Sequence, residues 1–266
     1  MDQAMSSVED GVRSESEDVV EIVHVTIGVG GDVLELHPDP AAFWRSGREL
    51  FVADLHLGKD AAFRAGAIPV PSGPTDATLE RLAGAIRRLS PTRVWILGDL
   101  VHSVRGIDAS LRAKLEGFLG DHPAVEFKLV VGNHDRGIGE RLQGLRIEIL
   151  DPPHRHGDFV LVHDATAGIE DEGQGAASEP SRSGGTPLMI GGHVHPAISI
   201  AAGRERETLP CFHLRQGRLT LAAMGRFTGC HRIDRHAGDE VYAIAGQSVI
   251  QVHSAKRRSV WRSRGR

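Results

Sequence analysis

Only two of the 266 residues are cysteines, Cys211 and Cys230. That is too few for a disulfide framework, and the CxxC pairing of a zinc site is missing. Both are expected to be ordinary buried thiols. Long apolar runs are also lacking: nothing approaches the roughly 18 consecutive apolar residues that span a bilayer, and the N-terminus does not run basic-then-apolar as a signal peptide does. The expectation is a cytoplasmic protein without a membrane partner. An excess of positive charge is absent too, the formal net charge being −4, which at first argues against nucleic acid. Its distribution softens that argument. Residues 1–21 hold seven acids against Arg13, whereas 254–266 hold Lys256, Arg257, Arg258, Arg262, Arg264 and Arg266 and no acid. The ends cancel, and the core keeps the −4. A basic tail containing Trp261 can grip phosphate backbones and stack a base, or can be a solvated, frayed terminus.

What is present is ordinary globular material, with 40% apolar and 25% charged residues, enough to bury a sizeable core in one large domain. Residues 1–20 are acidic and Ser-rich and are expected to form a disordered leader. Strand-like runs follow at 21–27, 33–37 and 50–53. A helical period covers 75–89, with Pro74 before it and Pro91 after it, and a strand follows at 93–97. The alternation continues with a helix at 108–119, a strand at 127–131, a short helix near 138–143 and strands at 147–150 and 159–162. Residues 165–187 are rich in Gly, Ser and Glu without periodicity, the mark of a flexible surface insertion. Strands then dominate, at 188–190, 198–202, 208–214, 219–222, 240–245 and 249–252. The domain should cover 21–253, with 254–266 as the basic tail.

The 15 histidines are the unusual count, and they gather where strands end. Four strands run into polar clusters: Asp54-Leu55-His56, Gly98-Asp99-Leu100-Val101-His102, Gly132-Asn133-His134-Asp135 and Gly192-His193-Val194-His195. A fifth runs into His163. Loops at the carboxyl ends of neighbouring strands of an open α/β sheet converge on one crevice, so these clusters can share a site. Carboxylate and amide oxygens mixed with imidazoles, and no thiolate, suit Mn, Fe or Zn. A D-x-H pair on an extended segment projects both side chains to one side, so Asp54 and His56 can grip one ion, while His193 and His195 can divide between two. Glycines at 98, 132 and 192 allow sharp turns and close approach.

The series DLH, GDLVH, GNHD, a lone His and GHVH resembles the calcineurin-like metallophosphoesterase superfamily. The longer runs VADLHLGKDAAFRAGAIPVPSG, LGDLVHS, VGNHDRG, GGHVHP, LPCFHL and GRFTG are similar to its ligase-associated DNA damage response endonuclease group, PdeM, over about residues 30–250. The resemblance implies a four-layer α/β/β/α sandwich and two divalent metal ions, with Mn²⁺ favoured and Fe or Zn as alternatives. It assigns Asp54, His56, Asp99 and His195 to the first metal, with Asp99 bridging to a second completed by Asn133, His163 and His193. It makes His134 the proton donor, oriented by Asp135. Two cations about 3.5–4 Å apart would activate a water and clamp the phosphoryl oxygens. The chain departs from the pattern at His102, where many relatives have Asp or Asn, and after His163, where Asp164 and Ala165 stand in place of Glu and Pro.

Lys59, Arg64, His102, Arg105 and Arg136 flank these motifs and are candidates for holding substrate phosphates. His154 and His156 form another H-x-H but precede a strand, in what reads as a loop. His213 reads as a packed strand residue. The expected function is a metal-dependent phosphodiesterase or nuclease acting on DNA in repair beside a ligase or helicase, with homo-oligomers possible. The rivals are a phosphomonoesterase or small-molecule phosphodiesterase, and a non-catalytic scaffold of the same fold.

Overall fold

The computed structural model describes residues 23–27, 32–67, 70, 73–103, 106–167, 186–202 and 205–253. The acidic leader, the basic tail with Trp261, most of the 165–187 insertion, and Arg105 lie outside the described residues.

Two sheets face each other. The first runs in chain order: β1 (Val23–Ile27), β2 (Asp32–His37), β3 (Ala41–Trp44), β4 (Glu49–Val52), β5 (Arg93–Leu97), β6 (Glu126–Val130) and β7 (Ile147–Leu150). Strands β1 to β4 are antiparallel, and β4 to β7 are parallel. The parallel part needs crossovers, which are supplied by α1 (Lys59–Ala65) with α2 (Pro74–Leu89), by α3 (Ala109–Asp121), and by the short α4 (Gly139–Leu142). The second sheet holds β8 (His154–His156), β9 (Phe159–Asp164), β10 (Leu188–Gly192), β11 (Pro196–Ala202), β12 (Glu205–Arg215), β13 (Arg218–Thr220), β14 (His231–Arg232), β15 (Glu240–Ala245) and β16 (Ser248–Gln251). Within it β9, β10 and β13 are parallel neighbours.

The period-2 alternation of the central strands divides the core. Leu50, Val52, Val94, Ile96, Phe127 and Leu129 pack outward against Leu79, Leu82 and Ile86 of α2 and Leu111, Leu115 and Leu119 of α3. Phe51, Trp95, Leu97 and Val130 point the other way and meet Phe159, Leu161, Ile190, Phe212 and Leu219 of the second sheet. Each such fully buried side chain is worth about 1.5–3 kcal/mol. The α/β sandwich is as expected. Its fourth layer is thin: on the outer side Ile198, Cys211, Val241 and Ala243 form a small cluster, and the described residues place no helix there.

Helix α2 begins with Pro74 at its first turn and stops at Ser90, in the left-handed region just before Pro91. Asp108 caps α3 by accepting from Leu111 N at 2.8 Å. Four elements differ from expectation, the two-residue strand β14 among them. Helix α1 follows the DLH motif directly. Strand β3 is a short apolar run without alternation, buried on both faces. His154–His156 is not a loop but the first arm of a hairpin, β8 pairing with β9. Of the cysteines Cys211 is buried, but Cys230 is exposed, in the irregular stretch before β14.

Candidate metal centre and active site

The parallel strands of both sheets deliver their carboxyl ends to one place. After β4 comes Asp54, after β5 Asp99, after β6 Asn133 and His134; β9 carries His163, and β10 ends before His193. The DLH and GDLVH segments run side by side beyond their strands, with Asp54 N donating to Gly98 O, His56 N to Asp99 O and His102 N to Leu57 O at 2.9–3.2 Å.

Here the backbone is strained. Asp54, His56, Asp99, His193 and His195 all have φ between 47° and 78°, in the left-handed region that non-glycine residues enter at a cost of about 1–3 kcal/mol each. Asp and His tolerate it better than most. The D-x-H and H-x-H side chains are therefore aimed by left-handed turns and not by extended backbone. Close packing demands small neighbours as well: a Cβ on Gly192 would overlap the Asp54 carboxylate, and one on Gly132 the Asp99 carboxylate.

Three overlapping ligand-like groups result. Asp54, His56 and His195 form one, Asp99, His163 and His193 another, and His56, Asp99 and His134 a third between them, with ligand atoms within 4.8 Å of each other in each. Asp99 joins them: its Oδ2 lies 3.7 Å from His56 Nε2, 3.5 Å from His163 Nε2 and 3.9 Å from His134 Nε2. His56 Nε2 faces His195 Nε2 at 3.2 Å, and His163 Nε2 lies 3.0 Å from His193 Nδ1 and 2.7 Å from Asn133 Oδ1.

These residues fit divalent cations. Asp54 is 0% exposed, yet its Oδ1 has no hydrogen-bond partner, and a carboxylate oxygen so buried is costly unless a cation meets it. Burial, helped by the charges of His195 and His134, pushes His56 down to about 3, which leaves a neutral imidazole. His195 Nδ1 donates to Gly229 O at 3.0 Å, turning the Nε2 lone pair inward. Burial alone would lower the His195 pKa, but the Asp54 carboxylate 3.7 Å away outweighs it and raises it.

His134 is partly open to solvent, with Nδ1 set on His102 O at 2.6 Å and its ring stacked on His102 at 5.4 Å. His134 N donates to Asp99 Oδ1 at 3.0 Å. Asp135 does not orient the His134 ring, as the resemblance had implied. Its carboxylate accepts from Gly132 N at 3.0 Å, Val101 N at 3.3 Å and Leu100 N at 3.4 Å. It ties the GNHD loop to the GDLVH loop, and burial raises its pKa despite those donors. Orientation of the ring falls to the His102 carbonyl.

Among the flanking candidates Lys59 sits beside the cluster, its charge felt by both His56 and His102. Arg64 is engaged by Asp60 at 3.1 Å on α1, and Arg136 is exposed after GNHD. His154 and His156 pack on Trp95. His213, on β12, bonds Asp239 just before β15 at 2.9 Å. Two features escaped sequence reasoning. One is the Gly229 carbonyl. The other is the segment from Met224 onward, where Met224 N and Gly225 N donate to Ala53 O and Asp54 O; the GRFTG run was its only trace.

Facing sheets, Asp-centred histidine groups and an open imidazole beside them have the layout of the calcineurin-like metallophosphoesterase fold. The chain is similar to the solved structure of Pseudomonas putida nuclease MPE, at 29% identity over 87% of this chain and 100% of that one, with a TM-score of 0.68. Similarity to the phosphoesterase YfcE of E. coli is distant, at 16% identity over 77% of this chain and 97% of that one, with a TM-score of 0.39. No family model matches the chain, and no curated protein matches it. Among the described residues no helix is long and apolar enough to cross a membrane.

Proposed function

We propose that the chain is a dinuclear phosphodiesterase that cuts DNA, working in the cytoplasm in repair beside a ligase. The observation that carries the reading is Asp99, whose buried carboxylate stands between the two histidine groups. Asp54, His56, Asp99 and His195 would hold one divalent ion, and Asp99, Asn133, His163 and His193 the other. Mn²⁺ fits this oxygen and imidazole set, as Fe or Zn would. When bound, such a pair supplies Lewis-acid charge neutralisation and a more acidic water. His134 lies at the open side, where its Nε2 can protonate the leaving oxygen while Nδ1 stays on the His102 carbonyl. The DNA assignment draws on the nuclease named for the P. putida structure and on the motif resemblance.

Residues 21–253 are taken as the catalytic domain, with 165–187 an insertion in it. The test is hydrolysis by metal-stripped protein given Mn²⁺, with single- and double-stranded DNA and small phosphodiesters as substrates and Asp99→Ala and His134→Ala as controls. Metal-dependent DNA cleavage lost in both variants supports the nuclease. Hydrolysis of small esters alone favours a small-molecule phosphodiesterase, and no hydrolysis favours a scaffold.

A further inference from the structure

Beside the metal centre lies a cluster the reaction itself does not use. Lys59 opens α1, and Phe63 follows one turn later; Lys59 Nζ sits 5.8 Å from the Phe63 ring centroid and 5.6 Å from that of Phe227. Phe63 and Phe227 meet edge to face at 6.0 Å, and both are half-buried. Phe63 also touches His102 at 5.5 Å, and His102 stacks on His134. An unbroken aromatic wall therefore runs from the proposed proton donor to Phe227.

The wall continues into positive charge. Arg226 N donates to Thr78 Oγ1 of α2 at 3.0 Å, and Arg81, one turn further along α2, donates from Nη1 to Met224 O at 3.0 Å. With Gly225 N bonded to Asp54 O, this segment is held rigidly against both α2 and the DLH motif. Among the described residues neither Arg81 nor Arg226 has a carboxylate within ion-pair distance, although the two guanidiniums are near enough to repel. Burial and the charge of Arg226 bring Arg81 down to about 10, which leaves it charged at neutral pH. A half-buried arginine beside a second arginine, in a core of net negative charge, is a site that wants an anion.

We infer that Phe63, Phe227, Lys59, Arg81 and Arg226 form a nucleotide subsite next to the scissile phosphate, with a base stacked on the Phe63–Phe227 wall and the adjoining phosphate held by Arg226 and Arg81. The inference rests on the nuclease reading above. A base can lie on the wall only when it is out of a duplex, so the flanking nucleotide must be unpaired. Lys59, lodged between aromatic faces and near His56, would neutralise the strand where it enters the centre.

The experiment scans a single-stranded DNA with one abasic nucleotide, and separately one neutral methylphosphonate linkage, at each position around the cut, with the Mn²⁺-loaded enzyme. The wild type should show one position where base removal raises KM roughly 5- to 150-fold. Phe227→Leu should bind the intact strand correspondingly more weakly and no longer distinguish the abasic one. Arg226→Gln should become insensitive to the methylphosphonate and lower the slope of log affinity against log salt by about 0.7. If base removal and linkage neutralisation penalise the variants as much as the wild type, the subsite is wrong while the nuclease stands. If the wild type hydrolyses bis(p-nitrophenyl) phosphate but no DNA, the nuclease reading fails and takes the subsite with it.

Discussion

The same central strands carry a buried carboxylate-and-histidine cluster at each end, and the two are opposites. At the amino ends Glu49 is 5% exposed and fully satisfied: Trp95 Nε1 donates to it at 2.6 Å, Arg93 Nη1 at 2.7 Å, and His156 Nε2 lies 2.8 Å away. At the carboxyl ends Asp54 Oδ1 and His56 Nδ1 have no partner, imidazole nitrogens face one another, and five residues sit in left-handed backbone. The H-x-H pairs repeat the contrast. His154 and His156 lie on a regular strand and pack on Trp95, whereas His193 and His195 occupy turns that aim them into the cleft. Composition and spacing are alike in both places. Unmet hydrogen-bonding capacity and stored strain mark the carboxyl-end cluster, and satisfied bonds mark the amino-end one.

The sharpest way to break this comparison is at Asp99. Asp99→Ala should bring hydrolysis to background and reduce bound metal, read by elemental analysis, while the protein stays folded by circular dichroism; retained activity would remove Asp99 from the bridge. Next in size, His134→Ala should lower kcat by about 10²–10⁴-fold with metal content unchanged. Gly192→Ala should then lose both activity and about 1–3 kcal/mol of stability in urea unfolding, because its Cβ overlaps the Asp54 carboxylate.

The smallest catalytic effect belongs to the satisfied end. Glu49→Gln should cost about 1–3 kcal/mol of stability while activity per folded molecule holds. Its pH dependence has a definite sign. Burial works to raise the Glu49 pKa, but hydrogen bonds from His156 and Trp95 and the charges of His156 and Arg93 outweigh it and hold the group below 4.5. A depressed folded pKa stabilises above the unfolded value and is lost as pH falls through the folded one. The stability gap between wild type and Glu49→Gln should therefore narrow on acidification below about pH 4.5.

Much of this was legible in the residues. The period-3.6 pattern between Pro74 and Pro91 located α2 almost to the residue, and buried runs ending in Asp or Asn marked β4, β5 and β6, because strands of a parallel sheet are apolar until they emerge. Strand β3 was missed since a four-residue run buried on both faces has no period to detect. Helix α1 was hidden by the motif it follows. β8 looked like a loop because Pro152, Pro153 and Gly157 bracket only three residues.

At the site, the sequence by itself determined which side chains are available and that they stand at strand ends, because chain order and the direction of a parallel sheet bring those ends together. It could not say that Asp135 serves backbone amides and not the His134 ring, since the two are neighbours in sequence whichever way they point. Nor could it say that the 224–229 segment, 170 residues away from Asp54, supplies the Gly229 carbonyl behind His195 and an arginine facing Arg81. Only the packing of the second sheet onto the first decided that, because such contacts follow from the register between sheets, and no local pattern encodes it.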